Sequence, residues 1–315
     1  MRTDEDRARV RRVGVTRGVG ALLTALLSLA AGCVPASSPS PGTGYRLVPA
    51  LPAQARARAD SAVRVIEQMS GDTWETHTFR GSDGTQIAYR LLPPENPRPG
   101  VRYPLVVILH GSGEIGSDNQ RQLDRFPKSW ARPEIRREWP AYVLAPQMPE
   151  RSANYFPTAT APDRASEPGR PLFATLELID LLRADLPVDS SRVYAMGFSM
   201  GASTVYLALV QRPELFAAAI PIAGVPTPPR YAATLARTPL WVIHGNSDDV
   251  TPAALDLAGY SAITAVPGAR ATFWEYDSGE HAVPVDLLAS DAFPRWLWAH
   301  RLTRRAVPDG GARPR

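Results

Sequence analysis

Arg192-Val193-Tyr194-Ala195-Met196-Gly197-Phe198-Ser199-Met200-Gly201-Ala202-Ser203-Thr204-Val205-Tyr206 is the stretch whose reading decides the fold. An apolar run leads into a glycine-flanked serine, which opens onto small residues suited to a helix start. That is G-x-S-x-G between a strand and a helix, the setting of a nucleophile elbow. The turn aims the serine hydroxyl outward, and side chains at the flanking positions would collide with neighbouring backbone. Alone, so short a pattern recurs in ordinary turns; its position gives it content. Ser199 is therefore a candidate nucleophile for acyl transfer. Met200, the next residue, is a candidate donor of a backbone N–H to an oxyanion. The rest of the chain must supply a base, an orienting acid and a second donor.

Working outward, continuous apolar runs lie at 104–109, 141–145, 192–196, 217–222, 240–243 and 271–276. Such runs mark strands buried on both faces. Helical patterns over 172–185, 200–212, 252–264 and 291–302 separate most of them. The alternation predicts an α/β fold with a mostly parallel central sheet flanked by helices. Residues 76–80 and 86–91 around Ser82-Asp83-Gly84-Thr85 read as an N-terminal antiparallel hairpin, preceded by a short helix over 57–69. The stretch 146–171, dense in Pro, Ser, Ala and Arg, reads as a structureless loop. It follows a strand, so it falls at the carboxyl edge of the sheet, where it would wall a substrate cleft. With no internal repeat, 56–302 reads as one catalytic domain.

The chain has 315 residues and a formal net charge of +4, and the excess sits at its ends. Residues 1–32 carry six Arg against three acids, and 301–315 carry five Arg against one Asp, leaving 33–300 at about −3. The body therefore has no basic surplus for nucleic acid. Arg-rich residues 2–17, then an apolar run over 19–31 too short for a comfortable membrane span, read as a signal peptide over 1–32. Its end, Ala30-Ala31-Gly32-Cys33, resembles a bacterial lipobox, which implies cleavage before Cys33 and lipid modification of that thiol. The expectation is an exported protein, lipid-anchored to the cell envelope, with a secreted or periplasmic form as the alternative. Cys33 is the single cysteine, so no intramolecular disulfide forms. Residues 33–55 read as a flexible tether and 303–315 as a basic disordered tail.

Five histidines compete for the role of base. His77 lies in the early hairpin and His300 among Trp296, Leu297 and Trp298. His110 and His244 each end a strand and precede a glycine, where a ring can pin loop backbone. His281 lies just past the strand at 273–276 and late in the chain, and it is the preferred base. The loop His110-Gly111-Ser112-Gly113-Glu114-Ile115-Gly116 has glycines for close backbone approach and lacks the G-K-[ST] of a phosphate loop. Ser112 is the preferred second oxyanion donor, with Gly113 next. No clustered His, Cys and carboxylate set points to a metal, and no cofactor is implied.

Tyr103–Glu114 with Asp118-Asn119, Ala145-Pro146-Gln147 and Pro187–Tyr194 resemble the bacterial carboxylesterase branch of the α/β-hydrolases. That branch is related to the phospholipase/carboxylesterase, polyhydroxybutyrate depolymerase-like and prolyl-oligopeptidase-like groups. The resemblance spans roughly residues 75–300. His244-Gly245-Asn246-Ser247-Asp248-Asp249-Val250-Thr251-Pro252 resembles the H-G-x-x-D-x-x-x-P segment of these enzymes. The resemblance implies that Asp248 is the acid orienting His281, in the chain order Ser…Asp…His. Asp249 is the competitor and a candidate N-cap for the helix near Pro252. The implied activity is hydrolysis of a small-molecule or polymer-derived ester by a Ser-His-Asp acyl-enzyme mechanism. Alternatives are a prolyl-oligopeptidase-like peptidase, for whose extra domain the N-terminal segment leaves no room, and a non-catalytic surface-tethered binding protein. Two departures stand out: Ala202 occupies a position where a third glycine is usual, and no tryptophan follows His281 closely.

Overall fold

Seven consecutive buried residues, Tyr-Pro-Leu-Val-Val-Ile-Leu, form strand β4 (Tyr103–Leu109). A strand apolar at every position needs cover on both faces, and it has it. Leu105, Val107 and Leu109 join one apolar cluster, while Val106 and Ile108 join another on the opposite face. The computed structural model describes residues 44–156 and 165–302. Around β4 lie β1 (Gly44–Val48), β2 (Glu75–Arg80), β3 (Gln86–Leu92) and β5 (Tyr142–Gln147). They are followed by β6 (Ala153–Phe156), β7 (Ala165–Pro168), β8 (Val188–Phe198), β9 (Ala218–Ile222), β10 (Leu240–Gly245) and β11 (Ala271–Tyr276).

Nine of these strands form one sheet in the order β1-β11-β10-β9-β8-β4-β5-β3-β2. From β1 to β5 all neighbours pair in parallel; β3 and β2 add the antiparallel hairpin at one edge. Helices Arg170–Asp185, Met200–Gln211 and Ala253–Thr264 cover one face. Helices Ala53–Gln68, Val285–Ala289 and Ala292–Trp298 cover the other. The expected α/β layering and hairpin are present. The carboxyl ends of β11, β10, β8 and β4, with β9 between β10 and β8, lead into the segments that carry His281, Asp248, Ser199 and Ser112.

Two segments differ from their expected form. Within the expected tether, Gly44–Val48 forms β1, in parallel register with β11 from Gly44↔Thr272 to Val48↔Tyr276, and the first helix already begins at Ala53. The strand leaves Tyr45 and Leu47 exposed, so no apolar period marks it; it is specified by a partner more than 200 residues away. Arg46 adds to this by stacking its guanidinium 4.6 Å from the centre of the Trp274 ring. The expected loop 146–171 contains a two-stranded antiparallel hairpin, β6 with β7, and the start of the helix at Arg170. Its strands, Ala-Asn-Tyr-Phe and Ala-Ser-Glu-Pro, are too short and polar to show a pattern. They are fixed by polar contacts instead: Ser152 Oγ meets Thr204 Oγ1 at 2.8 Å, and Ser166 N–H donates to the Pro226 carbonyl at 3.2 Å. Residues 1–32, Cys33 and 303–315 lie outside the described residues. Among the described residues no helix is long and apolar enough to cross a membrane.

Trp241 on β10 is fully buried under the last helix, edge-on to Trp274 at 4.9 Å between ring centres and against Phe293 and Trp296. Removing that ring would leave a large void beneath the strand that leads to Asp248. Trp241→Ala is expected to lower the unfolding free energy by about 3–5 kcal/mol in urea titrations. A loss under about 1 kcal/mol would mean the layer collapses without cost.

Candidate active site

The site starts from a strained serine. Ser199 has φ 55° and ψ −118°, a conformation L-residues rarely adopt and one costing on the order of 1–3 kcal/mol. The surroundings hold it there. Its N–H donates to the Ile222 carbonyl at 2.9 Å, and its own carbonyl accepts the Ser203 N–H at 3.1 Å. The two glycines are steric requirements. A Cβ on Gly197 would sit 2.3 Å from the Gly201 carbonyl oxygen, and one on Gly201 would sit 2.0 Å from that of Leu109. Ala202 fits because Gly224 faces it: a Cβ on Gly224 would come within 2.7 Å of the Ala202 methyl.

A second close approach brings the other two side chains together. A Cβ on Gly245 would lie 2.2 Å from the Gly279 carbonyl oxygen, so the loops after β10 and β11 touch backbone to backbone. Ser247 N–H donates to Gly279 at 2.9 Å, Asn246 N–H to Tyr276 at 3.0 Å, and Ser278 N–H to Asn246 Oδ1 at 2.8 Å. Asp248 Oδ1 accepts the N–H groups of Val250 and Thr251 at 2.9 and 2.7 Å. Asp248 Oδ2 lies 2.6 Å from His281 Nδ1, and His281 Nε2 lies 2.9 Å from Ser199 Oγ. The Asp248 side chain is wholly buried, whereas that of His281 keeps 16% exposure, with the Phe198 ring 4.9 Å away. Phe198, from the elbow itself, thus stands beside His281, which no tryptophan follows closely.

The competitor Asp249 is exposed and makes neither contact. It is not an N-cap either, because the helix Ala253–Thr264 starts behind Pro252 with no side-chain cap. The N–H groups of the approaching turn bond to Asp248 instead.

The loop after β4 is fastened from below. His110 Nδ1 lies 2.6 Å from the Gly111 carbonyl, and its Nε2 accepts the Met148 N–H at 2.9 Å. One nitrogen donates and the other accepts, which suits a neutral ring. Burial pushes the His110 pKa down, against a smaller opposing effect of the Gly111 carbonyl. Gln147 Oε1 accepts the Asn119 N–H at 2.6 Å, and its Nε2 donates to the Glu114 carbonyl at 3.2 Å. Ser112 opens the short 3-10 turn Ser112–Glu114, and Met200 opens the helix Met200–Gln211. N–H groups at such first positions have no partner within their helix, so both are free to bind an anion; the Gly113 N–H shares this property.

One residue was not selected from sequence as part of the site. His244 is buried, with Nδ1 2.8 Å from Asp256 Oδ2 and Nε2 2.8 Å from the Thr251 carbonyl and 3.2 Å from Asp248 Oδ2. Asp256 also accepts the Tyr206 hydroxyl at 2.8 Å and the Gly224 N–H at 3.2 Å. Burial pushes the His244 pKa down, but the hydrogen bond and charge of Asp256, the Thr251 carbonyl and Asp248 together raise it above the ordinary value. The available signal was Asp256, a lone acid on an otherwise apolar helix, Ala-Ala-Leu-Asp-Leu-Ala-Gly. Among the described residues no cluster of three or more His, Cys, Asp or Glu is arranged to hold a metal.

Two measurements check this geometry. Gly201→Ala forces the elbow off the end of β4 and is expected to lower stability by about 3 kcal/mol in thermal or urea unfolding; an unchanged midpoint would contradict the contact with Leu109. The second concerns pH. The folded pKa of His244 lies above its unfolded value of about 6.5, so the native state holds the proton more tightly. Its stabilising contribution is full below about pH 6.5 and is lost as pH rises through the folded value. The stability gap between wild type and His244→Gln should therefore narrow as pH rises above about 6.5. A gap independent of pH would show that the ring is uncharged.

Comparison with known proteins agrees with this architecture. A family model described as "Putative esterase" matches residues 83–281, more than half of the chain and all of the residues above. "Putative esterase NocK" of Nocardia uniformis subsp. tsuyamanensis is 27% identical over 250 residues, covering 76% of this chain and 66% of that protein. "Poly(3-hydroxyalkanoate) depolymerase C" of Paucimonas lemoignei is 29% identical over 235 residues, covering 73% and 51% respectively. A solved thermostable esterase superposes with a TM-score of 0.66 at 31% identity, covering 73% of this chain and 63% of that one. The chain thus spans between about half and two thirds of the length of these relatives. The parallel sheet with helices on both faces is an α/β-hydrolase fold, and the chain belongs to the esterase family whose model covers residues 83–281.

Proposed function

We propose that this protein hydrolyses carboxylic esters through an acyl-enzyme formed on Ser199. The observation that carries the proposal is one unbroken chain, Ser199 Oγ to His281 Nε2 at 2.9 Å and His281 Nδ1 to Asp248 Oδ2 at 2.6 Å. Each member has the partner its role demands. His281 Nδ1–H donates to the Asp248 carboxylate, so Nε2 is left with its lone pair toward the serine hydroxyl. As Ser199 Oγ attacks the ester carbonyl, Nε2 takes its proton, and Asp248 stabilises the imidazolium. The N–H groups of Met200 and of Ser112 or Gly113 receive the oxyanion, and they are preorganised because the elbow and the His110 anchor fix their loops. His281 then protonates the departing alcohol and activates the water that releases the acid.

The substrate proposed is a short neutral ester or a fragment of a polyester. Supporting this is a cavity of about 600 Å³ lined by Ser247, Asp249, Ser278, Glu280 and His281. Its two carboxylates disfavour anionic groups beside the base. The similarity to a poly(3-hydroxyalkanoate) depolymerase also fits. For location, we propose that residues 1–32 direct export and that Cys33 carries a lipid anchor, supported by the apolar run ending in Ala-Ala-Gly-Cys.

Hydrolysis of p-nitrophenyl esters of graded acyl length tests the activity. Ser199→Ala and His281→Ala are each expected to lower kcat/KM by at least about 10³-fold while leaving the unfolding transition in place. Undiminished turnover by Ser199→Ala would exclude the mechanism. Cys33→Ser should move the protein from the membrane to the soluble fraction of expressing cells; unchanged partitioning would exclude the anchor.

A further inference from the structure

A buried carboxylate next to a catalytic base needs all its acceptor sites filled, and Asp248 fills them in an unusual way. Oδ1 takes two peptide N–H groups, from Val250 and Thr251. Oδ2 faces two imidazoles: His281 at 2.6 Å and His244 at 3.2 Å. Behind His244 stands Asp256, whose side chain is as completely buried as those of His244 and Asp248. Asp256 Oδ1 accepts the Tyr206 hydroxyl, and Oδ2 accepts the Gly224 N–H and faces His244 Nδ1. Tyr206 and Asp256 come from the two helices that pack on this face, Met200–Gln211 and Ala253–Thr264.

The protons on this network follow from counting. A carboxylate already accepting a phenol and a peptide N–H has no proton to give, so His244 Nδ1 carries one. Nε2 faces a peptide carbonyl and Asp248, both acceptors, so it carries the other. The ring is a buried imidazolium between two carboxylates. The groups facing it are Asp248, Asp256 and the Thr251 carbonyl, with the Tyr206 hydroxyl one bond further out. His110 shows the contrast: it has the same His-Gly sequence context, but a peptide N–H on one nitrogen and a carbonyl on the other.

We infer that His244 is a positioning residue for the proposed reaction: a buried cation, held by Asp256 and Tyr206, that clamps Asp248 Oδ2 against His281 Nδ1. Asp256 is thereby the second acid of the site, twelve residues beyond the histidine that it charges. The inference rests on the esterase reading of Ser199, His281 and Asp248, but the charge on His244 can be read without it. If Asp256 loses its charge, His244 gives up a proton in its buried setting. The proton lost is the one on Nδ1, because Nε2 still faces two acceptors, the Thr251 carbonyl and Asp248. The ring becomes neutral, and its electrostatic hold on Asp248 Oδ2 weakens. A ring that merely filled space would not respond in this way.

The test uses the full chain and the variants Asp256→Asn and Tyr206→Phe. Asp256→Asn keeps the shape and removes the charge. With p-nitrophenyl acetate, its kcat at pH 8 is expected to fall about tenfold with KM within about twofold of wild type. The ratio of variant to wild-type kcat should climb toward one as pH falls and His244 regains its proton. Tyr206→Phe keeps the ion pair and should lose less than about threefold. A folded Asp256→Asn with wild-type kcat, or with a ratio flat in pH, would overturn the inference. Nitrogen NMR of histidine-labelled wild type supplies a reading that needs no variant and no substrate. His244 is expected to show two protonated ring nitrogens at pH 7, and a neutral single tautomer would overturn the inference. Failure of the wild type to hydrolyse any ester would instead overturn the functional reading, leaving the NMR result to judge the charge.

Discussion

The site depends on a backbone contact, the seating of Gly201 against the carbonyl of Leu109. Only a residue without a side chain allows the first turn of the helix to meet the end of β4 at that distance. The meeting forces Ser199 into its positive-φ conformation. The strain is offset by the Ile222 carbonyl, which accepts the serine N–H, and by the burial of the helix against the sheet. The elbow is thus the junction of β4, β8, β9 and the helix Met200–Gln211, and the serine is aimed by four elements at once. Gly224, at the end of β9, makes room for Ala202 in the same junction.

A parallel constraint operates one strand further along. Gly245 and Gly279 let two loops touch, and the contact converts residues 33 positions apart into a hydrogen-bonded pair, Asp248 with His281. The electrostatics under that pair are set by burial. Asp248, His244 and Asp256 have no side-chain exposure, so each charge must be met by a partner, and the partners alternate in sign. The two His-Gly strand ends use one local geometry in two protonation states. His110 is surrounded by peptide groups and is neutral, whereas His244 lies between carboxylates and is charged. Neighbours contributed by distant helices decide the difference.

Much of this was legible in the sequence, because local rules specify it. The strand runs at 104–109 and 271–276, the hairpin and the elbow follow from apolar periodicity and glycine sterics. Asp248 and His281 follow from motif order. What was not legible is non-local. β1 has no apolar alternation and exists because β11 offers it an open edge. The β6–β7 hairpin is held by the Ser152 hydroxyl against Thr204 and by a hydrogen bond from the Ser166 N–H to the Pro226 carbonyl. Asp256, an acid on an otherwise apolar helix, gains its role only when the fold sets it against His244, and Phe198 becomes the ring beside His281 through the turn itself.

The central claim is that one strained serine, charged through His281 and Asp248, is the reactive group of this chain. Treatment with diisopropyl fluorophosphate followed by peptide mass mapping tests it without knowledge of the substrate. The account predicts a single phosphoryl adduct, on Ser199, whose formation abolishes ester hydrolysis in proportion to labelling. Full ester turnover with Ser199 unlabelled, or an adduct on a different serine that tracks the loss of activity, would contradict it.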